Sequence, residues 1–166
     1  MSAASQQGPE TTASEIKLWQ FVIQQMLSRV ATVTLVKVLK VTNAGGIAPV
    51  GTVDVQPLVN QMTADGQPVA HGTVFNIPYF RLQGGANAII IDPQVGDIGM
   101  CAFCSRDISA VKKAKAVANP GSKRQFDYAD GLYFGGFLNG VPTQYIAYSA
   151  EGVAVKSPTK ITLDAP

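Results

Sequence analysis

The chain has 166 residues, of which 46% are hydrophobic and only 14% charged, and its formal net charge is +2. That length suits one globular domain with appendages. A charged fraction well below the roughly 25% of an average soluble domain leaves little charge to coat a free surface, so burial in an assembly is expected. The lysines read as scattered rather than clustered, which argues against a dedicated nucleic-acid face, where a concentrated basic stripe is expected.

The first thirteen residues, MSAASQQGPETTA, are polar and read as a loosely tethered arm. They have neither the basic n-region nor the apolar h-region of a secretory leader, and no uncharged apolar run reaches the roughly 20 residues that cross a bilayer. Synthesis in a cytoplasm, without integral membrane insertion, is the expectation. From Ser14 a helix is predicted: Ser14 suits the N-cap and Glu15 the positive end of the helix dipole. Ile16, Trp19, Ile23, Met26 and Val30 follow helical spacing, and Leu18, Phe21, Val22 and Leu27 widen the apolar stripe. The polar face offers only Lys17, Arg29 and glutamines, a weak match for lipid headgroups. Trp19, Ile23 and Met26 are therefore assigned to contact with another subunit or a neighbouring protein of an assembly.

The period changes to two in ATVTLVKVLKV, where Val33, Leu35 and Leu39 are expected to face inward, opposite Thr32, Thr34 and Lys40. VGTVDVQPLVN reads as a second strand, followed by the turn TADGQPVAHG. TVFNIPYF is a third, in which Pro78 suits an edge or a bulge. GGANAIIIDP is a fourth, VGDIGMCAFCS a fifth, and DGLYFGGFL and TQYIAYS are short further strands. RDISAVKKAKAV between them reads as a short helix with Asp107 or Ser109 near its start. Short strands with one helical insertion outline a small closed or nearly closed β-barrel of the OB type, which also removes exposed sheet edges.

Cys101 and Cys104 form a C-x-x-C pair, but inside a strand rather than at a helix start, so the two side chains point to opposite faces. A zinc site needs two more ligands, and the only histidine, His71, lies in a turn-rich stretch expected to face solvent. Both cysteines are read as packing residues. Asp92 precedes Pro93 and Asp97 follows Gly96, placing both in turns; Asp107 reads as a helix cap, and together with Asp54 these carboxylates suggest no acid–base pair. No catalytic, cofactor-binding or metal-binding residues are predicted.

The strings DVQPL (residues 54–58), NIPY (76–79), DPQVGD (92–97), SRDIS (105–109) and FDYADGLYFGG (126–136), in this order, resemble the N-terminal OB domain of the central spike proteins of contractile-tailed phages. The resemblance covers about residues 30–140. The expected fold is mainly β: an N-terminal arm and helix (1–30), which rest on the helical spacing and precede the region of resemblance, then an OB-fold barrel (31–145) and, as the resemblance implies, the start of a trimeric β-helix (146–166), in which three chains lend strands to one core. Val153 and Val155, and beyond a Ser-Pro turn Ile161 and Leu163, alternate with polar or small residues and would form that trimer core. The alternative is that the tail pairs back onto the barrel as an edge strand.

The resemblance implies a virion protein of the tail baseplate, a homotrimer below a hub protein, contacting the host envelope as the sheath contracts. Such spikes often end in a His-x-His pair from each chain that holds iron; this sequence has no such pair, so no metal role carries over. The segment from Gly152 to Pro166 is short, at most roughly 50 Å fully extended, so the expectation is either a short, blunt spike or a separate tip protein that continues it below, the second being favoured. No enzymatic activity is expected: larger spikes carry lysozyme domains, for which this length leaves no room. The rival function is a single-stranded nucleic-acid-binding OB module, with Phe75, Tyr79, Phe80 and Arg81 on its face. Against it stand the weak charge and the lack of basic residues among Tyr133, Phe134 and Phe137.

Overall fold

The computed structural model describes residues 15–28, 30–63 and 65–164. The N-terminal arm, the proposed cap Ser14, the side chain of Glu15, and Arg29 lie outside the described residues. Helix α1 spans Glu15–Leu27. Its apolar side chains, Trp19, Ile23 and Met26 included, are all solvent-exposed or half-exposed.

The body of the protein is one antiparallel sheet of five strands: β1 (Val33–Thr42), β2 (Thr52–Pro57), β5 (Val74–Pro78), β8 (Ile98–Phe103) and β9 (Gly131–Phe134), in the spatial order β5-β2-β1-β8-β9. The sheet curls into a half-barrel. Its two edges meet at a single parallel bridge, Tyr79 to Tyr133, reinforced by the Phe80 N–H donating to the Tyr133 carbonyl at 2.8 Å. Curling is helped by two irregularities of register, one in β1 between Val38 and Lys40 and one between β2 and β5 around Asp54. At the second, Asn76 adopts φ +57° and its N–H is taken by the Asp54 carboxylate at 2.9 Å.

Val36, Val38, Val53, Val55, Ile77, Tyr79, Cys101, Phe103 and Tyr133 form the core on the concave face. The expectation that Val33, Leu35 and Leu39 line the inner face of β1 is corrected: Val36 and Val38 do, while Val33 and Leu39 are exposed and Leu35 half-buried. Both parities of this strand are apolar, so the pairing decides, setting Val36 against Pro57 and Gly99, and Val38 against Val55. Gly99 itself is dictated by packing: a Cβ there would sit 2.5 Å from the Tyr133 ring and 2.4 Å from the Phe134 carbonyl oxygen.

Three small hairpins stand apart from this sheet. The predicted turn after β2 contains β3 (Gln61–Met62) and β4 (Pro68–Val69). The predicted fourth strand is instead a hairpin of β6 (Leu82–Gly84) and β7 (Asn87–Ile89), turning at Gly85 with φ +57°. Strands β10 (Tyr145–Ser149) and β11 (Gly152–Lys156) form the third. The predicted helical insertion is present as α2 (Ser109–Ala114), followed by a 3-10 turn, Tyr128–Asp130, that leads into β9.

The described residues show no β-helix start. The tail does not return to the sheet edge; β11 pairs with β10 alone, and residues 157–164, Ile161 and Leu163 included, are not in a strand. Ser157-Pro158 ends the pairing, since proline brings no N–H to a ladder.

Candidate assembly surface

The β10–β11 register places Ile146 opposite Val155 and Tyr148 opposite Val153. Side chains two apart in a strand share a face, as do cross-strand partners. Ile146, Tyr148, Val153 and Val155 therefore form one continuous apolar face. All four are uncovered, with Tyr148 81% and Val153 61% exposed. The other face is small or polar, carrying Ala147, Ala154 and Ser149, and Lys156 with its ammonium 5.9 Å from the centroid of the Tyr145 ring. Two of the residues assigned to a trimer core, Val153 and Val155, thus share this face. Ile161 and Leu163 are also exposed, but in irregular chain beyond it. Sequence reasoning overlooked Ile146 and Tyr148 as their partners; the signal was the period-two pattern of TQYIAYS read against EGVAVK across the Ala150-Glu151 turn.

The half-barrel ends are held by two ion-pair networks that sequence reasoning also missed. In the first, the Arg81 guanidinium donates to Asp92 Oδ1 at 2.8 Å and to the Ala48 carbonyl at 2.7 Å. Tyr79 OH donates to the same Asp92 oxygen at 2.8 Å and accepts from Asn43 Nδ2 at 3.2 Å. The Arg81 hydrogen bond holds Asp92 below the usual carboxylate range, and Arg81 is raised in turn. Asp92, read as a turn residue, thus ties three loops together. In the second, Arg124 grips Asp130 through Nε at 2.6 Å and Nη2 at 2.9 Å, and Asp107 through Nη2 at 2.8 Å. Asp130 is fully buried, also accepting the Ile108 N–H at 3.0 Å. Hydrogen bonds from Ser109 and Ser122 lower Asp107 to about 2, and the Arg124 hydrogen bond lowers Asp130. The expected capping role of Asp107 holds in that it accepts the Ser109 N–H at 2.8 Å, but its larger role is to bind the 122–124 loop to the start of α2.

Grooves open on the surface of the described residues. One, of about 410 Å³, is walled by Phe80, Leu82, Ile89 and Ile91, with Arg81, Asp92 and Tyr133 also lining it. Arg81 Nε and Tyr133 OH are buried without hydrogen-bond partners, and burial pushes the Tyr133 phenol up to about 12. The second, of about 630 Å³, lies between the β2–β5 edge and α2 and is lined by Asn76, Pro78, Cys104, Ile108, Lys112 and Lys115 among others.

Cys101 is buried and Cys104 half-buried, both as free thiols, and burial raises Cys101 to about 12 and also raises Cys104. Such thiols pack rather than react. His71 is not solvent-facing as expected: it is half-buried, its ring 5.3 Å from that of Tyr128, and its carbonyl accepts from the Gln56 side chain. Among the described residues no group of three or more His, Cys, Asp or Glu is placed to hold a metal ion, and no helix is long and apolar enough to cross a membrane. Of the four residues that would serve a nucleic-acid face, Tyr79 is in the core and the Arg81 side chain is only 4% exposed and ion-paired. Phe75 and Phe80 remain exposed, with Phe80 stacked on Phe134 at 5.4 Å.

These elements make a curled antiparallel half-barrel, tied by two ion-pair networks and carrying uncovered apolar appendages. The family described as Phage protein Gp138 N-terminal domain matches residues 48–136, just over half of the chain, and the chain belongs to that family. It is a phage protein, and the family supports a place in the virion. No curated protein matches the sequence.

Proposed function

We propose that this protein is the central spike of a contractile phage tail, a homotrimer at the baseplate tip that is driven against the host envelope when the sheath contracts. The strand order and the parallel closing bridge support an OB-type barrel as its upper body. The carrying observation is the uncovered face of the β10–β11 hairpin. Burying Ile146, Tyr148, Val153 and Val155 against two sister hairpins would contribute about 1.5–3 kcal/mol for each aliphatic side chain, a gain open only to an assembly. The role is mechanical and asks for no catalytic group: interlocked strands give stiffness along one axis and a high barrier to unfolding. In this reading α1 presents Trp19, Ile23 and Met26 to the hub above or to a sister chain, and a separate tip protein continues the short C-terminal segment below.

Light scattering on the purified chain tests this. The expected mass is three times 17.5 kDa, falling to that of one chain in the double variant V153D/V155D. Because β11 pairs only with β10, that variant should keep the half-barrel's circular dichroism. A wild-type chain that stays single at working concentrations overturns the proposal.

A further inference from the structure

Positive charge is not spread evenly along this chain, contrary to the first reading of its lysines. Residues 106–124 contain Arg106, Lys112, Lys113, Lys115, Lys123 and Arg124, six of the thirteen cations, and a single acid, Asp107. That segment carries +5 in a chain of net +2, so the remainder is −3. Extending it to residue 130 adds Asp127 and Asp130 and still leaves +3. The acids are gathered at one place: Asp107 and Asp130 are buried on Arg124, and Asp127 lowers its charge cost by accepting the Ala129 N–H at 2.8 Å while attracting the same guanidinium. The other five cations are exposed and in no ion pair among the described residues.

The fold brings these cations together. The Ser122 hydroxyl donates to Asp107 at 2.7 Å and Arg124 binds the same carboxylate, so the 121–124 loop, with Lys123, lies against the start of α2 beside Arg106. Lys112, Lys113 and Lys115 crowd the other end of that short helix, where Lys115 closes it in the left-handed conformation. Between the charges stand small or aliphatic residues that water does not favour: Val111 is exposed and Val117 fully so, with Ala114 and Ala116 beside them. No aromatic residue lies between 106 and 124, which removes the stacking platform that single-stranded nucleic acid uses. A knob that mixes lysines with aliphatic tips suits a bilayer surface, where ammonium groups meet lipid phosphates and apolar tips enter the headgroup boundary.

We propose that the 106–124 knob is a docking surface for the anionic lipid headgroups of a bilayer. It is a lipid contact separate from the C-terminal hairpin, whose apolar face is assigned to assembly, and independent of whether the chain trimerises. Attraction of this kind strengthens with each cation near the surface and is screened by salt.

Vesicle co-sedimentation of the full chain tests it, with vesicles of roughly one-third phosphatidylglycerol in phosphatidylcholine set against pure phosphatidylcholine. The expected result is at least about tenfold more protein pelleted with the anionic vesicles, abolished on raising salt from about 0.05 M to about 0.5 M. The variant K113Q/K115Q/K123Q, all exposed positions, should lose most of this binding while keeping the wild-type melting temperature and the wild-type mass. No enrichment on anionic vesicles at low salt, equal enrichment of the variant, or preferential displacement of the protein from vesicles by duplex DNA would each overturn the proposal. V153D/V155D should still bind, so loss of assembly and loss of this surface are read separately.

Discussion

Strands β1 and β2 and the hairpin β10–β11 are written in the same residues and end in opposite states. Val36, Val38 and Val55 are fully covered, whereas Val153 and Val155 on β11 stand 61% and 53% exposed. Val55, Val153 and Val155 alternate with small or polar neighbours, Val36 and Val38 flank Lys37, and each set is paired in an antiparallel ladder. The difference lies in what is placed over the face. Curling brings Ile77, Tyr79, Phe103 and Tyr133 over the valines of the sheet, while the hairpin has only two strands and none of the described residues covers their apolar face. Two-stranded hairpins are marginal alone in water, so a surface of this kind is where an assembling protein keeps its interface.

Truncation separates the two regions most sharply. Ile77→Ala, at a fully buried site, should destabilise the half-barrel by about 2–5 kcal/mol, read as a lower midpoint in urea. Val155→Ala should leave that same transition within about 0.5 kcal/mol and act on oligomer mass instead. Equal effects at both positions would mean that the hairpin is part of the folding unit of the sheet.

A smaller loss is expected at the Arg124 cluster. Breaking a fully buried ion pair costs roughly 3–5 kcal/mol, but Arg124 is 35% exposed and water can take over part of its solvation. Asp130→Asn should therefore cost about 2 kcal/mol, below the fully buried range, without touching the hairpin. The pH dependence has a definite sign. Asp107 is lowered to about 2 and Asp130 is lowered as well, so their stabilisation is complete above the ordinary carboxylate pKa of about 4. It is lost as pH falls through the folded values. Melting temperatures of wild type and Asp130→Asn should differ most near neutral pH and converge as acidification protonates Asp130, below the ordinary carboxylate range.

The strands of the half-barrel were legible because their period of two is bounded by Gly, Pro and Asp turns; β2, β5, β8 and β9 fall within the predicted segments. The inner face of β1 was not, since Val33, Leu35, Val36, Val38, Leu39 and Val41 occupy both parities and only the partners on either side select one. The run Ile89-Ile90-Ile91 lay in the predicted fourth strand, but only Ile89 belongs to β7 and all three side chains are exposed. The ion-pair networks escaped because Arg81 meets Asp92, and Arg124 meets Asp107, across loops whose closure only the fold supplies. The uncovered hairpin face was half visible: Val153 and Val155 were seen, but their cross-strand partners require the register.

The smallest effect concerns Tyr133, which belongs to the well-covered region yet carries a defect. Its ring lies over Gly99, where even a methyl group would collide with it, so the aromatic body is needed for packing and to close the sheet at the Tyr79 bridge. Its hydroxyl is buried with no hydrogen-bond partner, and an unsatisfied polar group of this kind costs about 1–3 kcal/mol. Tyr133→Phe keeps the ring and removes the orphan, so the half-barrel should melt at the same temperature or slightly higher, by a gain of up to about 1 kcal/mol. The hairpin and the oligomer mass should not respond. A loss of more than about 1 kcal/mol would instead mean that the hydroxyl is hydrogen-bonded in solution, by water in the adjoining groove or by a neighbouring subunit; repeating the comparison in V153D/V155D separates those two, because only a partner's contribution disappears with the assembly.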